Sequence, residues 1–350
     1  MLRKQTLLFT LISLIIFTSC EKDFSLNGDY KRTPIIFGLL DQADSVHMIR
    51  ITRTFLGDGN NNDFAKIADS NYYKQVDAKV IEMDGNEVLR TWQLHDTLIT
   101  NKETGLFYGP EQKFYTFYAN DLNENYEYKF DGIFDEGKYV ANATTKLVSG
   151  NYTGPWQQLY TSFSFANSSS SVSNSYPALR PVMSAGSNIS VKKAKLEIKY
   201  MVTYKDESTA IKIITWAKSK EEDINIQYAF AGEEFYKYIK DNIDTDANVV
   251  KRSMIDVTVI TTLVDDNTKK YMAASAPAST ISQSKPQFTN VNGSDTDGAL
   301  GLFAARHVLS KTLPLNGSSI KELCIGQYTG NLSFCSTLAE HNGKVWSCSN

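Results

Sequence analysis

Cysteine is scarce and unevenly placed: of four, one is Cys20 and three, Cys324, Cys335 and Cys348, fall in the last 27 residues. Histidine is as rare, with His47, His95, His307 and His341, and no two of these stand at metal-ligand spacing. No Lys/Arg cluster forms a basic stripe, and the formal net charge is −3, which together argue against a nucleic-acid binder. No P-loop or G-x-G-x-x-G is present, and no G-x-S-x-G elbow accompanies His95-Asp96 or His307. The sequence is therefore read as non-catalytic, with each histidine at the surface. What is abundant is aromatic: 19 Tyr and 18 Phe against 8 Pro, in short alternating runs that favour β-structure.

The amino terminus has its own chemistry. Arg3 and Lys4 precede Leu7 to Phe17, an apolar run broken only by Thr10 and Ser13. That is the length of a signal h-region, about 7–15 residues, whereas a spanning helix needs about 20. No second hydrophobic run follows. The run ends in Phe17-Thr18-Ser19-Cys20, which resembles a lipobox, with Phe17 in place of the usual leucine. The resemblance implies diacylation of Cys20 and removal of residues 1–19, leaving 331 of 350 residues. One acyl chain holds a membrane only marginally, and the two or three of a bacterial lipoprotein suffice. Glu21-Lys22-Asp23 resembles the surface-export signal of Bacteroidota lipoproteins, and is equally a solvated tether. Residues 20–32 are read as anchor and flexible tether, the twelve from Glu21 to Arg32 reaching at most about 40 Å.

The remaining chain is predicted to be mainly β, in two parts. Residues 33–149 hold seven short alternating runs, including Val76/Ala78/Val80, Val88/Trp92/Leu94 and Tyr126/Tyr128/Phe130, with a turn at Asp84-Gly85. This pattern predicts an immunoglobulin-like β-sandwich. Leu122-x5-Tyr128 resembles the leucine and tyrosine before the F strand of fibronectin type III domains, where the tyrosine hydroxyl bonds nearby backbone. Residues 150–190, with a Ser/Asn run at 167–175, read as a polar linker or long loop. Residues 191–350 read as a second β-rich domain with one amphipathic helix at 233–243, whose Phe235, Tyr238 and Ile239 share a face.

Three features are candidate sites. Asp58, Asn60 and Asn62 have the 1-3-5 oxygen spacing of a calcium loop, with Asp69 at position twelve, although Asp63 stands where glycine is wanted; a solvated hairpin loop fits equally. Trp156, after Gly154-Pro155, is the candidate exposed aromatic for ligand contact. The spacing C-x10-C-x5-H-x6-C lacks the close cysteine pair of structural zinc, which favours a disulfide. Cys335–Cys348, flanking the turn signal Asn342-Gly343, is favoured, and Cys324–Cys335 is the rival.

The second half carries a further pattern. Lys270-Tyr271, Pro277, Pro286-x-Phe288-Thr-Asn290-Val291 and Gly298-Ala-Leu-Gly301-Leu-Phe303 resemble an uncharacterised Bacteroidota outer-membrane lipoprotein family, a domain-of-unknown-function family often encoded beside TonB-dependent receptors. Thr33 to Leu40, Arg50 to Leu56 and Asp69 to Tyr73 fit the same group, so the resemblance covers most of the mature chain. It implies a lipid-anchored, surface-exposed outer-membrane protein acting with a TonB-dependent transporter, and brings no activity with it. A glycan- or ligand-binding module for nutrient capture is the alternative, and an enzyme of unknown class the third.

Overall fold

Alternating runs become strands wherever one face finds a core to cover. In the first half these are β1 (Pro34–Leu40), β2 (Val46–Arg53), β3 (Val76–Asp84), β4 (Glu87–Gln93), β5 (His95–Ile99), β6 (Gln112–Tyr118), β7 (Glu127–Phe134) and β8 (Tyr139–Lys146), with one-turn helices α1 (Asn61–Phe64) and α2 (Ala68–Asn71) between β2 and β3. The structure, a computed structural model, describes residues 32–348 except 57–59, 101–104, 106, 110, 155, 157–159, 170–171, 185, 219–227, 276–286 and 295–297.

The second half contributes the short pair β9 (Asn167–Ser169) and β10 (Val172–Ser175), then β11 (Val191–Tyr204), β12 (Thr209–Ala217), α3 (Gly232–Asn242), β13 (Val249–Val264), α4 (Asp266–Ser275), β14 (Asn292–Gly293), β15 (Leu300–Leu313) and α5 (Gly317–Ile325). The fold is mainly β. One sheet has eight strands in the order β12-β11-β13-β15-β1-β2-β6-β5, and a second has five, β14-β8-β7-β3-β4. Within them β1-β2-β6-β5 faces β8-β7-β3-β4, the A-B-E-D against G-F-C-C′ arrangement of an immunoglobulin-like sandwich.

Eight strands, not seven, make this first part. The extra one, β5, is an edge strand with little apolar alternation, and Leu98 on it is exposed. In the second part, α4 and α5 join the expected α3 among the described residues. Asp265 Oδ1 accepts from Thr268 N at 2.8 Å and starts α4, where Asp265-Asp266-Asn267 reads as a plain turn. Asn316 likewise caps α5 through Ser319 N at 2.9 Å. The same side chains that favour turns favour helix starts.

The two parts share the large sheet. β15 pairs antiparallel with β13 on one side and parallel with β1 on the other. The register sets Gly301 opposite Ile36, and a Cβ at Gly301 would lie 1.8 Å from the Ile36 carbonyl oxygen. With φ at +115° as well, only glycine fits there. Phe303, two residues on, is fully buried against Phe130 of the facing sheet, ring centroids 5.9 Å apart. One core lies inside the sandwich and takes in Leu263, Val291, Phe303 and Ala305 from the second half; the other lies under β11 and β13, covered by α3 and α5.

The sandwich closes on a tyrosine corner. Buried Tyr128 accepts from Asn123 N at 2.7 Å and donates to Glu82 Oε1 at 2.8 Å. Glu82, 1 % exposed, takes Nε and Nη2 of Arg90, whose Nη1 donates to both carboxylate oxygens of Asp121 at 2.8 Å. The buried carboxylate thus has both the charge and the hydrogen bonds it needs. Burial and the Glu82 carboxylate push the Tyr128 hydroxyl far above its ordinary range.

The stretch 150–190 departs from the expected polar linker. Tyr152, Trp156, Phe163, Phe165 and Leu179 are all buried in the second core. Backbone bonds tie the stretch down: Thr153 N to Val182 O, Phe163 N to Pro314 O, and Leu179 and Phe230 reciprocally, each at 2.8–2.9 Å. A Ser/Asn-rich run dominates the composition of the stretch, but the aromatic residues flanking it decide where it packs.

Candidate functional site

This wrapped segment encloses a cleft of about 480 Å³. Its floor is built by aromatic packing. Trp156 lies against Tyr152 and Phe163 with ring centroids 5.7 and 5.5 Å away, and Lys311 Nζ donates to its carbonyl. Tyr160, 44 % exposed, meets Trp156 edge-on at 5.7 Å and 72°. The two rings form a corner with one open aromatic face. Ser162, Asn167 and Arg180 also line the cleft. Asn167 Oδ1 accepts from Ser164 Oγ at 3.1 Å, and among the described residues its amide NH2 has no hydrogen-bond partner. Among the described residues neither the Ser162 hydroxyl nor the Arg180 guanidinium has a hydrogen-bond partner.

Trp156 is therefore placed differently from the sequence reading. It is 2 % exposed, a cleft wall with its area spent on the core, and Tyr160 is the exposed ring. Glycine and proline just before Trp156 favour exposure; the packing of Tyr152 and Phe163 around it overrides that.

The carboxy-terminal cysteines follow the favoured pairing. Cys335 and Cys348 are bonded, with Sγ–Sγ at 2.04 Å. The geometry is not the expected hairpin. Ala339–His341 is a 3-10 turn, and Ser336 and Ser347 form a parallel bridge. Cys335 N donates to Arg252 O at 2.9 Å, so the segment also adds onto β13. Cys324 is a free thiol buried on α5, and burial pushes its pKa up to about 12.

The calcium reading falls on residues that are described only in part. Asp58 lies outside the described residues. Asn60 caps α1, its Oδ1 accepting from Asn62 N at 3.0 Å, and the Asp69 carbonyl in α2 accepts from Arg53. Short helices thus stand where a hairpin loop was the rival reading. Among the described residues no group of three or more His, Cys, Asp or Glu could hold a metal ion. Cys20 also lies outside the described residues.

The histidines correct the surface expectation for three of four, since His47, His307 and His341 are buried and only His95 is exposed. His307 Nδ1 sits 3.0 Å from Asp41 Oδ1, and Asp41 also accepts from Ala43 N and Val308 N, each at 3.1 Å. Burial raises the Asp41 pKa, but these hydrogen bonds outweigh it and hold the carboxyl below its ordinary range. His47 stacks on Phe117, its Nε2 2.9 Å from Ala119 O and its Nδ1 buried without a partner. Burial lowers its pKa below the ordinary histidine value. His341 Nδ1 lies 2.8 Å from buried Ser336 Oγ, which also accepts from Leu338 N, the pattern of a local turn. Each of these groups is engaged in holding backbone or its neighbour.

Comparison with protein-family models, with curated proteins and with solved structures finds no match for this chain.

Proposed function

We propose that the chain is a non-catalytic lipoprotein, lipid-anchored through Cys20 at the outer membrane and facing outward, which serves as a binding or accessory subunit of a TonB-dependent transporter. The observation that carries this reading is the apolar run Leu7 to Phe17 closing on Thr18-Ser19-Cys20, followed by a polar stretch before β1 opens at Pro34. The family resemblance supplies the partner class. A mainly β body suits a binding scaffold. Purification of the tagged chain from cross-linked, detergent-solubilised envelopes tests the partnership. Co-elution of a β-barrel receptor is expected, and elution always alone overturns it.

A second reading, ligand capture at the surface, is favoured by the cleft beside Trp156 and Tyr160. Its volume of about 480 Å³ falls within the roughly 300–1,000 Å³ of small-molecule sites.

A further inference from the structure

We infer that this cleft binds a saccharide bearing a carboxylate, a uronic acid, with the sugar ring against the Tyr160–Trp156 corner and the carboxylate on Arg180. The inference deepens the ligand-capture reading and rests on it. Three observations point to the ligand class. The first is the aromatic corner. Tyr160 leaves an open ring face while Trp156 closes the wall behind it. Such a face suits the C–H side of a pyranose, which is apolar and flat enough to lie on a ring. The second is the charge of the lining. Among the described residues the lining of the cleft includes no carboxylate, and Arg180 is its one formal charge. An exposed guanidinium with no acidic partner among the described residues presents a fork matched to a carboxylate, which it can take bidentately. The third is the set of spare donors. The Ser162 hydroxyl and the Asn167 amide have no partner among the described residues and line the same space, as sugar hydroxyls require. A purely aromatic acid would use the rings and the arginine but leave these donors idle.

The test uses the full-length protein and two probes, digalacturonate and its dimethyl ester, which share rings and hydroxyls and differ in charge. Titration calorimetry is expected to show saturable binding of digalacturonate and weaker binding of the ester. A charge-assisted bond lost should cost about tenfold or more in affinity. Arg180→Gln should weaken the acid by that factor and leave the ester unchanged; Tyr160→Ala should weaken both. Both side chains are exposed, so thermal unfolding should not move, which separates lost binding from lost folding. Equal affinity for acid and ester, or an Arg180→Gln variant that binds the acid as well as the parent, overturns the assignment while leaving ligand capture standing. Heat from neither probe overturns the assignment, and with it the capture reading as placed at this cleft.

Discussion

At Tyr128 one hydroxyl meets a backbone N–H, a backbone carbonyl and the buried carboxylate of Glu82. Tyr128→Phe keeps the ring and strips those bonds, so chemical denaturation should show a loss of about 1–3 kcal/mol. An unchanged midpoint would show that Arg90 alone satisfies Glu82. His47 supplies a pH dependence. Its folded pKa lies below the ordinary 6.5, so the unfolded chain takes the proton first as pH falls. Stability is therefore full above 6.5 and is lost as pH falls through the folded value. His47→Gln, which retains a donor for Ala119 O, should flatten that slope in denaturation series at descending pH. Asp41 acts lower: its depressed pKa gives stability present above about 3.8 and lost as pH falls through the folded value. Tyr128 was legible from Leu122-x5-Tyr128. Glu82 was half-legible, since it continues the inward positions Ala78 and Val80 and so demands a partner. Asp41 and His307 lie 266 residues apart, and no local pattern joins them.

Among elements, β13 spans the same Val249–Val264 that β-branched residues mark in the sequence, because both periodicity and propensity point one way. α4 and α5 were hidden because Asp, Asn, Ser and Gly at their starts read as turns. The carboxy-terminal segment was legible in its covalent pairing and not in its backbone, since a turn signal at Asn342-Gly343 says nothing of β13 lying alongside. Replacing Cys335 and Cys348 by serine opens a loop of 13 residues and should cost about 3 kcal/mol in the chain-entropy view. Non-reducing peptide mapping should find Cys335 joined to Cys348, with Cys324 unreactive to thiol reagents until the chain unfolds. A Cys324–Cys335 peptide would contradict the arrangement.

Over the whole molecule, β15 makes the two parts interdependent. It lends Phe303 and Ala305 to the sandwich core and pairs with β13 on its other edge. Phe303→Ala should therefore cost about 3–5 kcal/mol. Tryptophan fluorescence and far-ultraviolet circular dichroism should then shift together, whereas two separate transitions would show that the parts unfold alone. Limited proteolysis should for the same reason spare the buried portions of 150–190, where composition alone suggests the first cuts. The functional proposal rests most heavily on the anchor, and its most direct measurement is metabolic labelling with a fatty-acid probe in cells expressing the parent chain or Cys20→Ala. The parent should carry label and fractionate with the outer membrane, and Cys20→Ala should carry none. Label of equal strength on Cys20→Ala, or an unlabelled parent, would contradict lipid on Cys20.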